Sequence, residues 1–433
     1  MVFWKTVFSV AGLVMAGSAA ASGFALTEQS GSGLGNAFAG GAASAEDAST
    51  IFYNPAGMSQ LAGNQIAVAG SMIRPSARFS GSVTGIPFQT AGSGTGGDAG
   101  SWGFAPSGYF SMELNPQTHV GLGINAPFGL QTQYDANWMG SYQAIKSQIQ
   151  TVNVNPAISC RINDMISLGA GLDYQHINGE LSNAANYSAL AFSLGGAGLL
   201  GAVGVNSNGI STVSGSDSAW GYNLGALFDL SDQTRIGIAY RSRIDYNLSG
   251  TASLTNVPGA LLAGGLPQVQ PVSVAMTMPD SFSLSGFHAF NDKWDMMFDA
   301  TRTGWSVVQQ LNVLAANGTS LGNTPYDWNN TWRFSAGANY HYNAAWTVRM
   351  GVAYDQSPVS DAFRNARIPD ASRTWLSIGG QYKPARQDAI DFGYAHLFVN
   401  SAAINQLQAG AGNLAGSYDN SVNILAVQYA HGF

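Results

Sequence analysis

Gly23 to Leu61 reads GFALTEQSGSGLGNAFAGGAASAEDASTIFYNPAGMSQL, and it suits neither a strand nor a long amphipathic helix. Phe24, Leu26, Leu34, Phe38, Ile51, Phe52 and Tyr53 want burial, the interleaved glycines work against regular structure, and Asn54-Pro55 is a turn signal that removes a backbone donor. Such a stretch needs a cavity to fill, and the rest of the chain must supply it.

Upstream, Lys5, the apolar run Val7 to Met15 and the small residues Ala19-Ala20-Ala21 read as a secretory signal peptide over residues 1–21, cleaved near Ala21. A membrane anchor would need about 18 to 20 unbroken apolar residues, and Gly12 and Gly17-Ser18 interrupt the run. Without Lys5 the chain has 16 basic residues against 24 acidic ones, a net charge of −8, which argues against nucleic acid as a partner. Charged residues are only 9% of the chain, where a soluble domain averages about 25%. No later segment offers about 18 uninterrupted apolar residues, so a helical membrane protein is excluded. In lipid every backbone donor and acceptor must be paired internally, which leaves a multi-pass, closed β-barrel in a bacterial outer membrane. Cys160, the single cysteine, cannot form an internal disulfide and reads as a small apolar residue facing lipid.

Strand patterns support the barrel. Trp346, Val348, Met350, Val352 and Tyr354 share one face, and Thr347, Arg349, Gly351, Ala353 and Asp355 the other. The runs at 235–241, 332–340 and 390–395 alternate in the same way. Short turns are expected at 115–118, 163–165, 231–234, 291–293, 342–345 and 384–389, and long loops near 84–102, 131–147, 179–216, 254–270, 313–326, 356–371 and 403–416. Six turns alternating with seven loops join 14 strands, with short connections and both termini on the periplasmic side. The expected division is a leader at 1–21, an N-terminal hatch at 22–62 and a transmembrane all-β, antiparallel barrel at 63–433. The chain ends on Phe433, with Tyr429, Val427 and Leu425 on the same face, like the terminal signal of outer-membrane barrels.

A barrel of this size exceeds the roughly eight strands whose lumen side chains alone can fill, so it holds water or a plug, and Gly23 to Leu61 supplies the plug. The segments GFALTEQSGSGLGNAFAGGAASAEDAS and Tyr53-Asn54-Pro55-Ala56 resemble the hatch of the FadL family, outer-membrane transporters of long-chain fatty acids and other hydrophobic compounds. Ala219-Trp220-Gly221-Tyr222-Asn223, Tyr240-Arg241-Ser242, Gly304-Trp305-Ser306, Gln309-Gln310-Leu311, Asp355-Gln356-Ser357-Pro358-Val359 and Ile368-Pro369-Asp370 extend the resemblance over nearly the whole mature chain. It implies passive transport without a nucleotide or other cofactor: a greasy ligand lands between extracellular loops, passes to a lumen pocket, and leaves sideways into outer-membrane lipid at a kink in the third strand.

Each station has candidates. Asn54, Pro55 and Ala56 mark the hatch. Asn125, Pro127, Phe128 and Gly129 mark a lateral gate, because proline cannot donate to a strand ladder; the plainer alternative is a bulge at the rim. Leu190, Phe192, Leu194, Leu199 and Leu200, with Leu261, Leu262 and Leu266, mark ligand-capture loops, unless they only pack loop helices onto the barrel. Arg241, Arg333 and Arg349 face the lumen and either bind an acid headgroup or belong to a network pinning Glu28, Glu46 and Asp47 of the hatch. The resemblance implies a lysine with an arginine for an acid headgroup in some fatty-acid transporters of the family; here Lys146 falls in a loop and Lys293 and Lys383 at the periplasmic end, so on that resemblance a fatty-acid substrate is weakened relative to aromatic hydrocarbons. A general diffusion porin is the alternative of another class. The six histidines, scattered and without metal-ligand spacing, argue against a metal site and against an enzyme.

Overall fold

The computed structural model describes residues 23–433, so the expected leader, residues 1–21, lies outside them. Fourteen antiparallel strands form the wall. They are β1 (Gln65–Thr84), β2 (Gly103–Asn115), β3 (Thr118–Asn125, then Gly129–Gln133), β4 (Lys146–Arg161), β5 (Ile166–Asn186), β6 (Asn208–Ser231) and β7 (Thr234–Arg241, then Ile244–Leu254). The second half comprises β8 (Val269–Met278, then Ser281–Asn291), β9 (Trp294–Thr303, then Gln310–Ala315), β10 (Ser320–Pro325, then Thr331–His341), β11 (Trp346–Asp355), β12 (Arg373–Ala385), β13 (Asp388–Val399, then Ala402–Gln408) and β14 (Gly412–Gly432). β14 returns to β1 in an unbroken register from Gln65↔Gly432 to Thr84↔Asn413, so the sheet has no free edge there to leave unpaired in lipid.

Period-two alternation decides which side chains meet lipid. In β11, Trp346, Val348, Met350, Val352 and Tyr354 are exposed on the outer face, whereas Thr347, Arg349, Ala353 and Asp355 are buried in the lumen. Aromatic contacts ring the wall at both ends, with Tyr174 on Trp220 (4.9 Å) at the loop end and Trp346 on Tyr382 (4.7 Å) at the turn end. The six short turns fall where the sequence places them. Three of the long loops are shorter than expected, because their flanks continue as hairpins: β5 and β6 stay paired out to Asn186↔Asn208, β9 pairs with β10 through 310–325, and β13 with β14 through 402–418. The Ser-, Thr- and Asn-rich pairs of these extensions ladder in water as well as the apolar ones do in lipid, so polarity alone does not end a strand.

Inside the barrel, the N-terminal segment forms only a four-residue helix α1 (Thr50–Tyr53) and two 3₁₀ turns (Leu34–Asn36 and Pro55–Gln60). It is nonetheless almost wholly buried: Leu34, Ala37, Ile51, Asn54 and Met58 are sealed from solvent. Inward glycines of the wall admit it closely. A Cβ at Gly225 would overlap the Asn54 side chain, and one at Gly351 would overlap the Asn36 backbone. The small lumen-facing residues of the alternating strands are thus where the hatch backbone lies against the wall.

Candidate transport path: hatch, kink and apolar pocket

Asn54 organises the lower hatch. Its Oδ1 accepts the Ala56 N–H (3.0 Å) and caps the turn that Pro55 begins, while its Nδ2 donates to Ala42 O (2.7 Å) and across to Ala226 O of β6 (3.1 Å). The three lumen arginines all donate to hatch carbonyls: Arg241 to Phe52 O (2.9 Å), Arg333 to Ala37 O (2.7 Å) and Arg349 to Ser32 O (2.9 Å). Arg241 is also paired with Asp173, and Arg349 with Glu46 (2.8 Å) and Asp391 (2.9 Å). This arrangement fits the network alternative. The lumen wall takes the Glu46 carboxyl partly out of water, which opposes its ionisation, but Arg349 outweighs this and holds it below its usual range. Asp47 accepts from Gln428 (2.8 Å), whereas Glu28 has no ion pair among the described residues and burial pushes its carboxyl up to about 7.

β3 breaks between Asn125 and Gly129. Asn125 lies opposite Asn153 of β4 and Gly129 opposite Gln150, four steps on one strand against three on the other, so the break holds one extra residue. Below it β3 pairs with β2 from Ile124 to Thr118; above it the only strand that Gly129–Gln133 pairs with among the described residues is β4, and the β2 residues Gly103 to Ser107 have no strand partner on that side among them. The hatch takes β2's place. Leu26 N–H donates to Pro127 O (2.8 Å), Gly129 N–H to Phe24 O (2.9 Å), and the Gln29 amide both donates to Ala126 O (2.8 Å) and accepts Ala126 N–H (3.2 Å). Gln29 thereby imitates a strand partner, a role its sequence position does not advertise, because its partner lies 97 residues away.

Phe24 leads from the break into an apolar cavity of about 730 Å³, counting its mouth. Its ring lies against Trp305 (4.8 Å), Trp328 (5.6 Å) and Phe128 (6.1 Å). Trp305 and Trp328 reach the lumen because β9 leaves its ladder after Thr303 and β10 is interrupted between Pro325 and Thr331. Leu130, Ile149, Leu248, Val272, Val274, Val308, Tyr326 and Ile368 are among the other lining residues, with one cation, Arg367. Of these residues, Phe24, Phe128, Trp305 and Ile368 lie in segments that stand out in the sequence; the others occupy ordinary inward strand or loop positions.

Above the barrel, helices α2 (Tyr187–Val203) and α3 (Gly259–Ala263) pack through Leu261, Leu190, Leu199 and Leu266. Leu200 is half-buried, while Phe192, Leu194 and Leu262 stay exposed, with Phe192 on Phe88 at 5.0 Å. The expected capture residues therefore divide into a packed set and an exposed set.

A closed barrel whose lumen is filled by its own N-terminal segment, with an apolar pocket above, is the architecture of an outer-membrane transporter of hydrophobic compounds. The chain belongs to the outer membrane protein transport protein family (OMPP1/FadL/TodX), which matches residues 12–433. It is 31% identical over 420 residues to outer membrane protein P1 of Haemophilus influenzae, covering 91% of this chain and 90% of that one. A long-chain fatty acid transport protein of Escherichia coli is 28% identical over 410 residues, covering 91% of each. Among solved structures, a Pseudomonas aeruginosa FadL homologue superposes with a TM-score of 0.88 at 28% identity, covering 95% of this chain and all of that one. The Pseudomonas putida toluene transporter TodX shares the fold, with a TM-score of 0.71 at 19% identity over 93% of this chain and 98% of its own. Members of this family are transporters, not enzymes.

Proposed function

We propose that the chain, after loss of its leader near Ala21, carries long-chain fatty acids or similar amphiphiles passively across the outer membrane. The observation that carries this reading is the apolar pocket lined by Phe24 of the hatch itself, next to the interrupted β2–β3 seam that the hatch covers. The exposed Phe192, Leu194 and Leu262 gather ligand outside. Ligand in the pocket displaces Phe24, the hatch strand detaches from Ala126 to Gly129, and the ligand slips between β2 and β3 into the bilayer. Arg241, Arg333 and Arg349 hold the remainder of the hatch, so the straight route to the periplasm stays shut.

Uptake of aromatic hydrocarbons by the same route is the second reading, favoured by the ring-rich wall of Phe24, Phe128, Trp305, Tyr326 and Trp328. Binding of oleate and of toluene to the purified protein separates the two, and binding of neither overturns both. Deleting Asn54 to Ala56 should impair oleate uptake while the barrel still folds; unchanged uptake would remove the hatch from the mechanism.

A further inference from the structure

Another lapse in the wall borders the apolar cavity, between β8 and β9. The two strands pair at Ser281↔Thr303 and again at Val274↔Val313, seven steps on β8 against ten on β9. The three surplus residues match the turn Trp305–Val307, where β9 leaves the wall. β9 then leans on β10, where Tyr326 N–H donates to Gln309 O (2.9 Å) and Trp328 N–H to Val308 O (3.2 Å). Ala275 to Pro279 of β8 consequently have no ladder partner on β9 among the described residues, with Gly304 N–H to Asp280 O (2.9 Å) closing the lower corner.

Side chains fill what the ladder leaves. Met278, Trp305 and Val308 are buried in one cluster, with Met276 and Leu311 packed against it. Met276, Val308 and Leu311 also line the cavity, so a single layer of side chains closes it here. Methionine is unbranched and adaptable, and such contacts part without breaking a backbone hydrogen bond. β7 and β8 leave their own ladder at Ser242-Arg243 and Pro279-Asp280, three steps on each strand, which gives β8 a point at which to bow.

Two neighbouring parts of the enclosure are tied by hydrogen bonds instead. The segment between β11 and β12, which lines the cavity through Arg367 and Ile368, accepts from Thr132 Oγ1 at Arg367 O (2.9 Å) and from Tyr134 at Ala366 O (2.6 Å). Arg367 Nη1 donates to Ser182 O (3.2 Å) and Nη2 to Asn183 Oδ1 (3.0 Å). β6 and β7 also part, between Asn223↔Arg241 and Ser216↔Ser249, but Ser242 N–H donates to Tyr222 O (2.8 Å) and Asn247 N–H to Asp217 Oδ2 (2.7 Å) across that gap. The outward row Tyr240↔Phe282↔Arg302↔Trp332 lies one step below the β8–β9 seam. Phe282 and Trp332 are exposed there, which puts the lower end of the seam where the outer leaflet meets water.

We propose that the β8–β9 seam is a side entrance, through which hydrophobic molecules held at the surface of the outer leaflet reach the cavity when the methionine seal parts and β8 bows at Pro279-Asp280. This rests on the reading of the cavity as a hydrophobic-ligand site, and it adds a way in that is separate from the exit at β3.

Ala275 and Asn312 follow the last ladder pair, on the outer face and off the cavity lining. Ala275→Cys and Asn312→Cys, with Cys160→Ser removing the native thiol, can be joined by a short bifunctional thiosulfonate reagent and released by reduction. Oleate uptake by cells, expressed per assembled barrel, should fall about tenfold or more when the pair is joined and recover on release, while equilibrium binding of oleate to the purified joined protein stays within about twofold. Met278→Ala thins the seal at a residue that does not line the cavity, and it should raise uptake about twofold or more. Uptake at the native rate through the joined seam overturns the proposal, as does a matched fall in uptake and binding, which would make the seam part of the cavity's shape and not a way in. Slower or unchanged uptake in Met278→Ala overturns it too. No oleate binding by the native protein overturns the hydrophobic-ligand reading itself, and this proposal with it, before any variant is compared.

Discussion

Gln29 shows how one side chain can stand in for a strand. Its amide serves both backbone groups of Ala126 at the level where β2 no longer reaches β3. Gln29→Leu keeps similar bulk but leaves a buried N–H and C=O unpaired, a loss of about 1–3 kcal/mol. Amide exchange at Ala126 should then quicken by roughly tenfold or more, with the remaining barrel amides unaffected; unaltered exchange there would mean that the hatch does not hold the break closed. At this scale the sequence is only partly legible. Phe24, Leu34 and Ile51 announce their burial by being apolar in a glycine-rich run, and the inward arginines by strand parity. Gln29 and Arg367 do not announce themselves, because their partners come from segments remote in the chain and a polar residue in a loop looks the same whether solvated or buried.

Among elements, β3 carries the most information. Pro127 between Asn125 and Gly129 marks a broken ladder in the sequence itself, but the single extra residue is visible only in the register against β4. Deleting Pro127 removes both the surplus residue and the missing donor. Gly129–Gln133 should then continue β3 and pair with Gly103 to Ser107 of β2, and oleate uptake by cells should fall about tenfold or more while the barrel still folds. Uptake at the native rate through a straightened β3 would exclude the break as the exit. The loops were legible as connections but not in extent, since the ladders of β5–β6, β9–β10 and β13–β14 run past the apolar band on polar residues.

For the molecule as a whole, the strand count followed from alternation and turn spacing, and the lumen from the count. A segment that could not fold alone then had a place to go, and wall glycines such as Gly169 and Gly351 fit its backbone. A barrel plugged in this way should show no steady ion conductance in planar bilayers, and a porin-like conductance would contradict the filled lumen. The central claim is that cargo leaves sideways while the body of the hatch stays put. Asp47 of the hatch and Gln428 of β14 touch through their side chains at 2.8 Å, so Asp47→Cys and Gln428→Cys place two thiols within reach of a short bifunctional thiosulfonate reagent that joins them through reducible disulfides, with Cys160→Ser removing the native thiol. Oleate uptake should be compared in cells carrying this variant with the pair joined by oxidation and released by reduction. Equal rates in the two states are predicted, because Phe24 to Gln29 remain free to leave the break; uptake that stops on oxidation and returns on reduction would show that cargo passes down the lumen instead.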